Sequence, residues 1–295
     1  MKVARYWVRE AVHEKDSDGK AHRGEAWGWS EHNAEEAKRR ARESAGRVAR
    51  WLANLRGSPE PPRSWAYQYQ LDRPPREEIV QELKSAAGKT TAVITRNVYG
   101  ALVLNTHDLM FVDVDFPRRR KVAFGLLKRL FGKPAPEADG AEALVSGVRS
   151  WCSANADLGP RLYRTAAGVR VAVVDRPVEP NGQEAEQILA ELGSDPLYRR
   201  LCATQECFRA RLTPKPWRMQ SVKHMGYPPV RYPFADSAVE KQYRDWQRVY
   251  DETAPHFATC RLLDTFGSGN IHPELLPLLT LHDSLTGIER PLPLA

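Results

Sequence analysis

Hydrophobic and polar positions alternate through the start of the chain and predict two strands, at about 3–12 and 24–30. The turn-forming run at 16–19, Asp-Ser-Asp-Gly, separates them and predicts an antiparallel hairpin. The pattern then changes to a helical period, because small and apolar residues recur every three or four positions from a capping Asn33 to about residue 55. The chain is therefore expected to begin with a hairpin followed by a helix.

The next stretch alternates between turn-forming and periodic segments. A run rich in proline at 57–62 ends the helix. A strand is predicted near 65–71, and a helix is predicted near 76–86, since a proline pair followed by two glutamates is typical of a helix start. We therefore expect residues 1–88 to form an N-terminal α/β extension.

Three apolar segments follow, at about 91–96, 100–105 and 109–114, and predict antiparallel strands of one main sheet. A second hairpin is predicted from strands near 162–164 and 169–174. Helical periods are expected at about 119–131, 140–154, 183–192, 196–202 and 237–250. These patterns predict an α+β fold, in which residues 89–295 form a central mixed or antiparallel sheet flanked by helices, with a helical C-terminal region.

The composition is that of a globular domain, with 42% hydrophobic and 27% charged residues among 295. No stretch approaches the roughly 20 apolar residues of a membrane span, and the first residues lack the apolar segment of a signal peptide. The sequence therefore predicts a cytoplasmic protein with no membrane partner. Its four cysteines are irregularly spaced, which favours buried, reduced thiols over disulfides or a zinc site.

The net charge of +7 favours an anionic partner, and the charge is concentrated in one segment. Residues 118–133 carry seven cations and no acid, directly after a pair of aspartates. The first four of these cations, Arg118, Arg119, Arg120 and Lys121, are predicted to contact nucleic acid. A basic segment beside carboxylates suits a phosphate-bearing substrate.

Two aspartates, Asp113 and Asp115, end the apolar run at 109–115. Alternate residues of a strand point to the same face, so the two carboxylates would lie side by side. Two negative charges at such a short distance repel each other, so they need a cation, an arginine or solvent nearby. Carboxylate oxygens are suitable ligands for a divalent metal. The pattern therefore predicts a metal site. The alternative is that a buried arginine pairs with Asp113 while Asp115 caps a turn.

The predicted hairpin at 162–174 carries a second candidate site. Arg164, Thr165, Gly168 and Arg170 combine a hydroxyl, a glycine turn and two guanidinium groups, which suits the phosphates of a nucleotide. The alternative is a plain hairpin with arginines on its surface.

A strand that ends in Asp-x-Asp, followed by helices and then by an Arg-Thr-x-x-Gly hairpin, resembles the archaeo-eukaryotic primase superfamily over about residues 91–175. The resemblance implies a primase-polymerase core in which Asp113 and Asp115 bind Mg²⁺ or Mn²⁺. It also implies that Thr165, Gly168 and Arg170 contact a nucleoside triphosphate. The superfamily has a histidine in this hairpin, and here Arg170 or the next valine stands in its place.

The same resemblance calls for a third acidic ligand after the hairpin. Asp175 follows the hairpin at once and is the first choice for the metal, while Asp264 follows a later apolar stretch. The alternative for Asp175 is a turn cap before Arg176 and Pro177.

Residues 208–235 are rich in proline and are expected to be irregular, and residues 208–234 contain basic and aromatic side chains in alternation and no acid. Such a surface stacks unpaired bases and neutralises phosphates. The predicted contacts to nucleic acid are Arg209, Arg211, Lys215, Trp217 and Arg218. In the alternative interpretation Phe208, Leu212 and Trp217 are core anchors. The histidines, among them His282, are isolated and predict turn or surface positions.

The favoured function is therefore metal-dependent nucleotidyl transfer on a nucleic acid, with catalysis through Asp113 and Asp115. One alternative is a nucleic-acid-binding protein that has a primase-like scaffold without turnover. Another is a phosphatase resembling the haloacid dehalogenases, in which the same two aspartates serve as nucleophile and general acid. Pro117 and the absence of a later Gly-Asp-x-x-x-Asp depart from that pattern.

Overall fold

The computed structural model describes residues 1–54, 74–85, 87–117, 137–219 and 225–295. Six α-helices and ten strands lie in these ranges. The strands are β1 (Tyr6–Lys15), β2 (Ala21–Ser30), β3 (Glu78–Lys84), β4 (Thr90–Arg96), β5 (Leu102–Thr106), β6 (Met110–Asp115), β7 (Pro160–Thr165), β8 (Gly168–Val173), β9 (Phe208–Arg211) and β10 (Cys260–Thr265). The helices are α1 (Ala34–Ala53), α2 (Glu137–Ala154), α3 (Gln183–Glu191), α4 (Pro196–Gln205), α5 (Ser237–Thr253) and α6 (Leu276–Thr286).

The predicted hairpin and helix at the start of the chain are confirmed. β1 and β2 pair antiparallel over their full length, and the Asn33 side chain accepts the Glu36 amide hydrogen to cap α1. α1 lies unusually close to β2, because Gly24 and Gly28 face a stripe of alanines on the helix. A Cβ atom on Gly28 would overlap the backbone of Ala37 and Ala41. The close approach of helix to strand therefore depends on these glycines.

The other strands form two antiparallel sheets of four, which confirms the α+β class. The first sheet has the order β3-β4-β5-β9, and the second has the order β10-β7-β8-β6. The prediction of one main sheet for the segments near 91–114 is therefore wrong in one respect. β4 and β5 pair as expected, but β6 joins the other sheet beside β8, because the chain crosses between sheets at 107–109.

Both faces of the second sheet are covered by apolar side chains. On one face Val112 of β6 and Val171 of β8 pack against the helices α2 and α3. On the opposite face Phe111 and Ala172 pack toward the first sheet and α6. The two strands are thus buried on both sides, which agrees with their nearly continuous apolar sequences.

The two sheets meet where β6 and β9, each an edge strand of its own sheet, run close to each other; we call this boundary the seam. The Tyr198 hydroxyl of α4 joins the two strands there. It donates to the carbonyl oxygen of Phe111 at 3.0 Å and accepts from the amide of Arg209 at 3.1 Å. A tyrosine hydroxyl therefore replaces part of the ladder that would otherwise satisfy these edge groups.

Two predictions about local structure are wrong. Residues 78–84 form the strand β3, and the expected helix near 76–86 is absent, because pairing with β4 outweighs the proline-glutamate helix-start signal. Residues 208–211, expected to be irregular, form β9 by pairing with β5. The predicted strand near 65–71 and helix near 119–131 lie outside the described residues.

The expected boundary at residue 88 falls between β3 and β4, two neighbouring strands of one sheet. Within the described part of the chain, no helix has the length and apolarity to span a membrane.

Replacing Gly28 by valine tests the close contact between β2 and α1. The new side chain must push the helix away from the strand, so we expect the free energy of unfolding to fall by about 1–3 kcal/mol or more. The measurement is urea denaturation followed by circular dichroism.

The matched control is Gly147→Ala on α2, where a Cβ atom would meet no atom within 4 Å. This change is expected to be neutral or to stabilise by up to about 1 kcal/mol, because alanine favours the helix. Equal stability of the Gly28 variant and the wild type would contradict the packing described for α1.

Candidate functional site

The strand register places five of the six predicted catalytic and nucleotide-binding residues on one face of the second sheet. Tyr163, Arg170 and Asp113 form one cross-strand row on β7, β8 and β6. Asp115 belongs to the neighbouring row, with Gly168 and Thr165. The i, i+2 spacing therefore puts both carboxylates on one face, as the sequence predicted.

Asp113 is held by Arg170 in a two-pronged ion pair. Arg170 Nε donates to Asp113 Oδ1 at 2.7 Å, and Arg170 Nη2 donates to Asp113 Oδ2 at 2.9 Å. The Arg170 side chain is completely buried, whereas 42% of the Asp113 side chain is exposed. This is the arrangement that the sequence analysis gave as the alternative to a metal for Asp113. The pair is strong because both carboxylate oxygens receive a charge-assisted bond.

The remaining nitrogen of Arg170 connects the pair to other elements. Nη1 donates to the carbonyl oxygen of Arg211 across the seam at 3.0 Å and to His282 Nε2 of α6 at 3.1 Å. His282 Nδ1 lies 2.8 Å from Asp283 Oδ1, and the Tyr163 hydroxyl donates to the same oxygen at 3.0 Å. Because Nε2 accepts from an arginine, the proton of the neutral imidazole lies on Nδ1 and is donated to Asp283.

The protonation states follow from this network. Although part of the Asp113 side chain is exposed, the loss of water around its carboxylate would by itself raise the pKa, but the charge and hydrogen bonds of Arg170 outweigh this effect and lower that pKa. Burial would lower the pKa of Arg170, and Asp113 more than offsets it, so the guanidinium stays charged. Burial, aided by the positive charge of Arg170, lowers the pKa of His282 and keeps it neutral in the folded protein.

Two further arginines, Arg211 and Arg218, lie close to the carboxylates. Burial lowers the pKa of Arg211 to about 10; Asp113 opposes this shift, and Arg170 and Arg218 add to it. Burial also lowers the pKa of Arg218, and the charge of Asp115 opposes that shift. Arg211 Nε and Arg218 Nη1 are shielded from solvent and have no hydrogen-bond acceptor within the described residues. Each arginine therefore keeps one N–H donor for which the described residues provide no acceptor.

The hairpin residues hold different positions from one another. Arg164 points to the opposite face from Arg170, and its guanidinium lies 4.0 Å from the centre of the Phe116 ring. Thr165 is buried, and its hydroxyl accepts the Ala167 amide hydrogen at 3.4 Å. Gly168 is needed for packing, because a Cβ atom there would overlap the backbone of Val114. Of the four predicted nucleotide contacts, Gly168 pairs with Asp115 in the strand ladder, and Arg170 is the one whose side chain bonds a predicted catalytic residue.

Neither candidate for a third acid lies beside the aspartate pair. Asp175 follows the end of β8 that pairs with Met110, which is the opposite end from Asp115. Asp264 lies on β10, at the far edge of the sheet from β6, and accepts a hydrogen bond from Arg149 at 2.6 Å. Within the described ranges, no three histidine, cysteine, aspartate or glutamate side chains are grouped to hold a metal ion. Asp113 and Asp115 are thus the two carboxylates available to a cation here.

The predicted contacts to nucleic acid are divided between two environments. Arg209 donates to Glu77 at 2.6 Å and is mostly buried, whereas Trp217 is 41% exposed. The ammonium group of Lys215 lies 5.5 Å from the centre of the Trp217 ring. The basic run at 118–121 lies outside the described residues.

Sequence reasoning missed the role of His282. The prediction of a turn or surface position is wrong, because His282 lies on α6 with no exposed surface and contacts both Arg170 and Asp283. A polar His-Asp pair inside an otherwise apolar helix is the signal that could have indicated a buried network.

Comparison of the chain with protein-family models, with curated proteins and with solved structures gave no match.

Replacing Arg170 by methionine tests the ion pair. The variant leaves the Asp113 charge without its partner, and we expect the free energy of unfolding to fall by about 3 kcal/mol. The double variant Arg170→Met/Asp113→Leu should recover part of this loss, since no uncompensated carboxylate remains. Urea denaturation of the two variants and of Asp113→Leu alone gives the coupling between the residues. Strictly additive effects would contradict a direct pair.

The lowered pKa of His282 predicts a pH dependence of stability. As pH falls below about 6.5, the unfolded chain binds a proton that the folded protein does not bind, so stability decreases until the folded pKa is reached. Comparing the wild type with His282→Gln isolates this contribution. We expect the unfolding free energy of the variant to change less between pH 7 and 5, by up to about 1.4 kcal/mol per pH unit. Identical slopes would show that His282 does not titrate in this way.

Proposed function

We propose that this protein binds nucleic acid by its phosphate groups, along the seam and the strand β9. The observation that carries the proposal is the pair of arginines, Arg211 and Arg218, whose shielded nitrogens have no acceptor within the described residues. A buried or half-buried guanidinium that lacks an acceptor is costly. A phosphate oxygen would supply the missing acceptor and would raise the lowered pKa of both groups.

The local balance of charge supports an anionic ligand. Arg170 is neutralised by Asp113, so it adds little net charge to the seam. Arg211 and Arg218 add two further positive charges: Arg211 interacts with Asp113, which Arg170 already neutralises, and Arg218 interacts with the carboxylate of Asp115. An excess of positive charge close to apolar walls attracts phosphates more strongly than the same charge in open water.

The surrounding sequence supports a polyanion over an isolated anion. The segment 208–234, which includes β9 and both arginines, contains six cations and no acid. Phosphate contacts of this kind supply affinity without reading the base sequence. We therefore expect binding that depends strongly on salt and weakly on sequence.

A second candidate is metal-dependent nucleotidyl transfer, supported by the placement of Asp113 and Asp115 on one face and by the resemblance to the primase superfamily. In that case the two carboxylates would hold Mg²⁺ or Mn²⁺, which would activate a hydroxyl and offset charge on the phosphates. Asp113 can contribute only if an oxygen leaves Arg170, because both are hydrogen-bonded to it. The phosphatase alternative has no observation in its favour, since the same two bonds occupy its nucleophile.

The double variant Arg211→Met/Arg218→Met tests phosphate binding. We expect weaker binding to a labelled oligonucleotide, and a plot of log affinity against log salt whose slope is smaller by about one for each lost contact. Fluorescence anisotropy from 50 to 300 mM salt gives both quantities. The control is Arg39→Met on α1, an exposed arginine paired with Glu43, which should leave the slope unchanged.

Extension of a primed template in the presence of Mn²⁺ tests the second candidate. If Asp115 helps to hold the metal, Asp115→Asn should abolish incorporation while oligonucleotide binding is kept. The control is Asp264→Asn, because Asp264 lies at the far edge of the sheet. This variant shows the effect of removing a carboxylate outside the site. Incorporation by Asp115→Asn at the wild-type rate would overturn the catalytic candidate.

A further inference from the structure

Tyr99, Trp217 and Tyr227 form a cluster of rings that we call the aromatic platform. The centres of the Trp217 and Tyr227 rings lie 4.7 Å apart, and Tyr99 lies 5.1 Å from Trp217 and 5.9 Å from Tyr227. Trp217 is 41% exposed and Tyr227 is 63% exposed. Large aromatic side chains grouped at the surface indicate an interaction site.

The segments that carry the platform are fixed by hydrogen bonds. The Tyr99 amide donates to Asn97 Oδ1 at 2.9 Å within a tight turn. On the other segment, the Tyr250 hydroxyl donates to the carbonyl oxygen of Pro214 at 2.6 Å, and the Arg218 amide donates to that of Lys215 at 2.9 Å. The backbone that carries Tyr99 and Trp217 is therefore fixed before any ligand binds, which reduces the entropy cost of binding.

The charges around the platform favour a polyanion as its occupant. The Lys215 ammonium lies 5.5 Å from the centre of the Trp217 ring and 5.8 Å from that of Tyr99. Arg218 directly follows Trp217, and its Nη1 is shielded from solvent and has no hydrogen-bond acceptor within the described residues. An apolar protein partner has no need of these cations, whereas a nucleic-acid strand needs both a surface for its bases and cations for its phosphates.

We propose that the aromatic platform stacks an unpaired base, so that this protein prefers single-stranded over double-stranded nucleic acid. The inference rests on the proposed phosphate binding and adds the form of the ligand. Because Arg218 directly follows Trp217, the segment that would stack the base also carries a cation for a neighbouring phosphate. Bases of a duplex are stacked on each other and cannot reach the rings.

The test measures the affinity of the wild type and of Trp217→Ala for two ligands. One ligand is a single-stranded oligonucleotide, and the other is the same strand carrying abasic sites. We expect Trp217→Ala to weaken binding of the normal strand about tenfold, the effect of one lost base-aromatic stack. The abasic strand should bind both proteins alike. Trp217→Phe should keep most of the affinity because it keeps a ring, and Tyr227→Ala should weaken binding in the same direction.

The matched control is Tyr6→Ala on β1, a tyrosine that is also 41% exposed, which should leave binding unchanged. The platform proposal is overturned if Trp217→Ala binds the normal strand as tightly as the wild type does and the wild type binds the abasic strand as tightly as the normal one. If salt-dependent binding persists in that case, the phosphate proposal stands. That result is also the one expected if the platform instead contacts a protein. If no oligonucleotide binds at all, both proposals fail.

Discussion

The ion pair between Arg170 and Asp113 is the interaction on which the rest of this structure depends. A guanidinium without exposed surface joins three elements, because it bonds Asp113 on β6, the backbone of β9 and His282 on α6. Burying such a group without partners would cost several kcal/mol. The second sheet, the seam and the last helix are therefore positioned by one side chain whose donors must all be satisfied.

The same pair determines what chemistry the site can perform. An aspartate whose two oxygens both face a guanidinium is a weak ligand for a cation, so the charge that remains available at the seam belongs to Arg211, Arg218 and Asp115. This favours the binding of phosphate over the activation of a hydroxyl. The aromatic platform lies on the same short segment as Arg218, which allows one strand to contact both. The two proposals, phosphate binding and base stacking, therefore concern one surface.

Particular residues show how far the sequence could be read. The hairpins at 6–30 and 160–173 and the cap of α1 were predictable, because turn residues and side-chain period are local signals. The common face of Asp113 and Asp115 followed from strand geometry alone. The helix expected near 76–86 was wrong because its sequence is compatible with either element, and pairing with β4 decided between them. The partner of Asp113 was left open, since it depends on the register between β6 and β8.

The sequence by itself determined the α+β class, most of the helices, the strand that carries the two aspartates and the acid-free segment of cations and aromatic residues. These features come from residue spacing within short stretches of chain. Only the tertiary structure decided that Arg170 pairs with Asp113, that His282 is buried beside them, and that Tyr99 joins Trp217 and Tyr227. Such contacts join residues that are distant in the chain. They are brought together by strand register and by the burial of charge, and no local sequence pattern encodes either of these.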